Sequence, residues 1–97
     1  MKNKRKYKND LVLYRERIGF TQMHVARLLS MRDTTLLSKL EQGHKLPNLF
    51  VALRLAALYR VPVDFLYPAL YKSIREVLRQ RESDMSGEVK VTLNEYS

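Results

Sequence analysis

The chain has no cysteine and no tryptophan, and only three glycines, three prolines and two histidines among its 97 residues. Without cysteine there is neither a disulfide framework nor a thiolate metal site, which suits a reducing cytoplasm. So few glycines leave no glycine-rich phosphate loop, and His24 and His44 stand apart from any acid, nucleophile or ligand set. No enzyme, metal or cofactor is therefore expected. No apolar run approaches the ~20 residues that span a bilayer, and the N-terminus lacks the apolar core of a signal peptide. A cytoplasmic chain without membrane contact is the expectation. The length allows one small domain with a modest core of Leu, Val, Ile and Phe.

Acidic residues are also scarce, 10 against 18 basic, for a net charge of +8. The excess is uneven. Residues 1–8, MKNKRKYK, hold five basic residues and no acid, whereas the remainder has 13 basic against 10 acidic. Such an arm suits two roles, neutralising phosphates with release of counterions or acting as a solvated tail.

Gly19 to Pro47 reads as two short helices joined by a turn. On a wheel of about 100° per residue, Leu36, Leu37 and Leu40 share one arc, while Thr34, Thr35, Ser38 and Lys39 fill another. One side packs and the other is presented, as in a helix prepared for a DNA groove. Asp33 is placed to cap this helix, Gly43 to end it in the left-handed conformation, and its span is about Thr34 to Gln42. Upstream, Thr21 caps a helix from Gln22 to Leu29, with His24 where a full capping box has Glu or Gln. Val25, Ala26 and Leu29 form its inward arc.

A first helix is predicted over Tyr7 to Ile18, with Leu11, Tyr14 and Ile18 inward. A fourth, Leu49 to Tyr59, has Leu49, Ala52, Leu53, Ala56 and Leu58 as the apolar face that covers the core. A fifth starts at Pro62 to Asp64, with Pro68 as a break before it resumes to about Glu82. Its stripe of Leu70, Ile74, Val77 and Leu78 opposes Lys72, Arg75 and Arg79. That stripe fits either folding back on the domain or pairing with a partner. The domain thus spans 9–82, leaving a tail at 83–97. There Val89, Val91 and Leu93 alternate with polar residues at the period of a half-buried strand, which needs a partner or stays flexible.

Taken together, Arg15, Gly19-Phe20-Thr21-Gln22, Val25-Ala26, Leu37-Ser38, Glu41, Gly43, Pro47 and Val61-Pro62-Val63-Asp64-Phe65-Leu66 resemble the lambda-repressor-like helix-turn-helix family of phage repressors and Cro proteins. The likeness covers about Leu11 to Tyr67. Ser30 stands where the family commonly has Gly, and Met31-Arg32-Asp33 makes the inter-helix turn one residue longer than its commonest form. The resemblance implies an all-α, five-helix fold with an extended C-terminal helix and a short tail. It implies that Thr34, Thr35, Ser38 and Lys39 face base edges and that Thr21, Gln22, Arg32, His44 and Lys45 meet phosphates, to which the charge of the arm adds Lys4, Arg5 and Lys6. It also implies that Arg15 and Glu41 form a structural ion pair. The implied partner is double-stranded DNA, bound by a homodimeric transcriptional repressor on a pseudo-palindrome, nucleoid-associated when bound. An antitoxin-like reading stays open, with residues 69–97 capturing another protein and DNA binding serving autoregulation. So does non-specific binding through the arm.

Overall fold

The computed structural model describes the backbone of residues 6–95 and the side chains of residues 6–86. Five α-helices occur in order, α1 Leu11–Ile18, α2 Gln22–Leu28, α3 Thr35–Glu41, α4 Leu49–Tyr59 and α5 Pro68–Glu95, with a 3-10 turn at Val63–Phe65 before the last. No strand is present among the described residues, so the protein is all-α as expected.

Four helices terminate by one device. Gly19, Ser30, Gly43 and Arg60 follow α1 to α4 with φ of 88, 57, 79 and 62°. In each case the next amide reaches five residues back, Phe20 to Arg15, Met31 to Ala26, His44 to Lys39 and Val61 to Ala56, at 2.8–3.1 Å. This left-handed termination satisfies end carbonyls that the helix itself leaves open. Gly43 ends α3 as its sequence position predicts, and Ser30 takes the conformation that the family commonly gives to Gly.

The core gathers Leu11 of α1, Val25 and Leu29 from α2 and its end, Leu37 and Leu40 of α3, Leu55, Ala56 and Tyr59 of α4, and Leu66 and Tyr67 before α5. Tyr14, Ile18 and Leu36 pack against it half-buried. The inward arcs expected for α2 and α3 are therefore the observed ones.

Several boundaries and faces differ from the sequence expectation. The first helix starts at Leu11 rather than Tyr7, because the amides of Lys6 and Tyr7 donate to Gly43 O at 3.1 and 2.9 Å, and Asn9 Oδ1 accepts the Leu11 amide. Those bonds hold the segment outside the helical path. Asp33 caps α3 from one residue further out than expected, accepting the Thr35 amide at 2.9 Å, while Thr34 is the residue next to the helix. On α4 the packed face is Leu55, Ala56 and Tyr59, whereas Leu49 and Leu53 are 72% and 48% exposed. Apart from Arg54 the helix is apolar on every side, so its sequence gives little to orient it, and tertiary contact with α1 and the 3-10 turn selects the buried side.

The helical turn at Val63–Phe65 ends before Pro68, which begins α5, so the break expected there occurs, in keeping with proline's fit to the first helical position. The tail expected to be flexible or a strand continues this helix to Glu95. A lone strand leaves its amides and carbonyls unpaired, and a helix satisfies them within the segment. Tyr96 and Ser97 lie outside the described residues. The fold-back arrangement is not adopted, since every residue from Tyr71 to Ser86 is exposed. The projecting helix draws the protein out to 54 × 35 × 22 Å.

Candidate nucleic-acid interface

The polar face of α3 is held outward by a buried ionic network on its opposite side. Glu41, 5% exposed, lies at the last turn of α3. Arg15 from α1 donates to it twice, Nε to Oε2 at 2.6 Å and Nη2 to Oε1 at 3.2 Å. The remaining guanidinium nitrogen of Arg15 donates to the Phe20 carbonyl at 3.0 Å, in the turn before α2. Gln22, the first residue of α2, adds a third donor to Glu41, Nε2 to Oε1 at 2.7 Å. Helices α1, α2 and α3 thus meet at one carboxylate. Bonding to Glu41 raises the Arg15 guanidinium above its already high ordinary value, so it stays charged. Burial first, then the nearby Glu41, pushes the Tyr59 phenol upward, so that group remains neutral.

Arg15 and Glu41 are therefore paired as the resemblance implies. Gln22 is turned inward to brace α3, and its Nε2 carries a second hydrogen, so bracing and a phosphate contact are chemically compatible. Thr21 caps α2 by accepting the His24 amide at 3.1 Å, and His24 Nδ1 accepts the Thr21 amide at 3.2 Å. An imidazole thus completes the capping box in the place of Glu or Gln. That role requires the tautomer with its hydrogen on Nε2.

On the presented face Thr35 and Lys39 are exposed, and Thr34 and Ser38 are half-buried. Arg32, Thr35, Lys39 and Lys45 line one depression together with Met31, Asp33 and Leu36, so four of the expected contact residues converge beside α3. Bonding to the Thr35 backbone amide holds the Asp33 carboxyl below the usual carboxylate range. His44 is exposed in the loop after α3, and Lys6 is exposed beside Gly43. Lys4 and Arg5 lie outside the described residues.

Gln42 joins this face, although the sequence wheel ended at Glu41 and missed it. It is exposed, keeps helical backbone with φ −77° and ψ −7°, and donates from Nε2 to Ser38 Oγ at 3.1 Å. Extending the wheel one residue places it at about 80°, between Ser38 and Thr35. The presented arc therefore carries a side-chain amide as well as hydroxyls and an ammonium.

Two short helices set by a shared buried carboxylate, with the second offering polar side chains to solvent, define a helix-turn-helix protein. Comparison with known families matches a helix-turn-helix domain to residues 11–66, more than half of the chain. The protein belongs to that family, which falls within the lambda-repressor-like group of DNA-binding domains. No curated protein and no solved structure matches it. Among the described residues, no helix is long and apolar enough to cross a membrane.

Proposed function

We propose that the protein is a sequence-specific transcriptional repressor that binds a pseudo-palindromic operator as a two-fold dimer. The observation that carries this reading is the presented face of α3, with Thr34, Thr35, Ser38 and Lys39 on one side and Glu41 anchored to α1 and α2 on the other. A rigidly braced helix lowers the ordering cost of docking in a major groove. Lys39 donates to guanine O6 or N7, the threonine methyls meet thymine methyls, and Gln42 has the paired donor and acceptor that adenine N6 and N7 require. Thr21, Gln22, Arg32, His44, Lys45 and the arm set register on the phosphates.

The dimer rests on α5. Tyr71, Ile74, Val77, Leu78 and Met85 are each 46–52% exposed and lie within an arc of about 120°. An uncovered apolar stripe on a projecting helix supports pairing with a second copy, whose reading helix then falls about one turn of DNA, ~34 Å, away. The same exposed stripe also favours the second reading, an antitoxin-like module in which another protein covers α5.

Selection from a random duplex pool at ~150 mM salt, where non-specific binding is weakened, tests the proposal. Enrichment of a palindrome is the expected result. Retained binding with no enriched motif overturns sequence-specific repression, and an unsymmetric site at one-to-one stoichiometry overturns the dimer.

A further inference from the structure

The segment leading into α1 is built around a buried asparagine that the DNA-facing residues do not include. Asn9 is 8% exposed. Its Nδ2 donates to the Leu40 carbonyl in the last turn of α3 and to the Tyr7 carbonyl, both at 2.9 Å. Its Oδ1 accepts the Leu11 amide at 3.0 Å. On the same segment the Lys6 and Tyr7 amides converge on Gly43 O at 3.1 and 2.9 Å. Gly43 is the residue immediately before His44 and Lys45. The strand of chain that carries Lys6 is thus fastened by backbone and side chain to the C-terminal end of the presented helix.

We infer that Asn9 is a positioning residue for DNA binding, fixing Lys6 at the base of the basic arm beside His44 and Lys45 so that arm and loop engage one stretch of phosphates together. This rests on the reading of α3 as the helix that docks on DNA. Only an amide of this length supplies the set. Aspartate keeps the acceptor for Leu11 but loses both donors, and serine keeps an acceptor near α1 but is too short for Leu40. Fastening the base of the arm raises the effective concentration of its cations at the phosphates reached by the loop, a gain that an untethered arm of equal charge lacks.

The test is a cycle in the full chain, reading the dependence of duplex affinity on salt. In the native background, the combined substitution Lys4→Gln, Arg5→Gln and Lys6→Gln is expected to reduce the salt slope by about 2.7, which amounts to about 40-fold between 50 and 200 mM salt. Asn9→Ser is expected to flatten the slope by a similar amount with the charges still present, and adding the triple substitution then changes it by less than about 1. A loss that is merely structural leaves the arm's contribution intact. Equal slope changes in both backgrounds therefore overturn the inference while leaving specific binding by α3 standing. Absence of salt-dependent duplex binding by the native chain overturns both readings. Asn9→Asp replaces Asn9→Ser if the latter does not fold. If neither folds, amide exchange at Lys6 and Tyr7 in the native chain decides, with slowing on saturation by duplex expected and unchanged exchange overturning the inference.

Discussion

Ser30 and Arg60 hold left-handed backbone with φ of 57 and 62° and a Cβ that disfavours it. That conformation costs an L-residue roughly 1–2 kcal/mol, and glycine recovers it at an entropic cost of about 0.5–1. Ser30→Gly should therefore stabilise the domain by about 0.5 kcal/mol, a rise of about 3 °C in Tm measured by circular dichroism. Gly19→Ala works in the opposite direction. Its φ of +88° makes any Cβ strained although nothing lies within 4 Å of one, and a fall in Tm is expected. The carboxylate of Asp33 gives a pH signature. Its folded value is lowered by the Thr35 amide, so its contribution is present above the ordinary carboxylate range and is lost as pH falls through the folded value. Native protein should lose stability over that acid window relative to Asp33→Ala, and parallel acid unfolding curves would contradict the cap.

At the scale of elements, three helices depend on one carboxylate. Glu41→Ala strands a half-buried guanidinium and removes the partner of Gln22, so a loss of about 3 kcal/mol is expected, with DNA affinity falling alongside. Unchanged melting would refute the structural role. Replacing Gln22 alone by Ala leaves the Arg15 pair intact and should cost about 1.5–3 kcal/mol, the range for a hydrogen bond to a charged group. The DNA contacts proposed for α3 and the loop after it divide by chemistry. Lys39→Ala and Gln42→Ala should relax preference at single base positions by about 1–3 kcal/mol each in binding to variant sites, whereas Lys45→Ala should weaken all sites alike and lower the salt slope by about 1.

For the whole molecule, the long axis of 54 Å comes from α5, which leaves the domain at Leu70 and carries its apolar stripe into solvent. Leu78, 46% exposed, has no core to lose, so Leu78→Glu should leave the domain folded. If α5 pairs two copies as proposed, the substitution should also yield a monomer in sedimentation equilibrium and abolish cooperative binding to paired half-sites. A variant that remains dimeric would place the interface elsewhere.

Local chemistry written in the sequence determined much of this protein. The apolar arcs of α2 and α3, the Thr21 cap and the Gly43 terminator were legible because each depends on residue type at short spacing, whereas the Arg15 to Glu41 pair, 26 positions apart, was implied only by the family resemblance. The presented face of α3 was legible too, apart from Gln42, which the helix reaches only by continuing its spiral through the C-terminal residue. Tertiary structure decided what local pattern leaves open. Alternation at 88–96 has strand period, yet without a partner strand the backbone closes its hydrogen bonds as helix to Glu95. Apolar on several sides, α4 had no pattern to orient it, and contact with α1 and the 3-10 turn buried Leu55 and Tyr59 in preference to Leu49 and Leu53. Nothing in the sequence pattern marks Asn9. Its bond to Leu40, 31 positions away, exists only once the chain has folded, because sequence spacing encodes neighbours along a helix but not the close approach of distant segments.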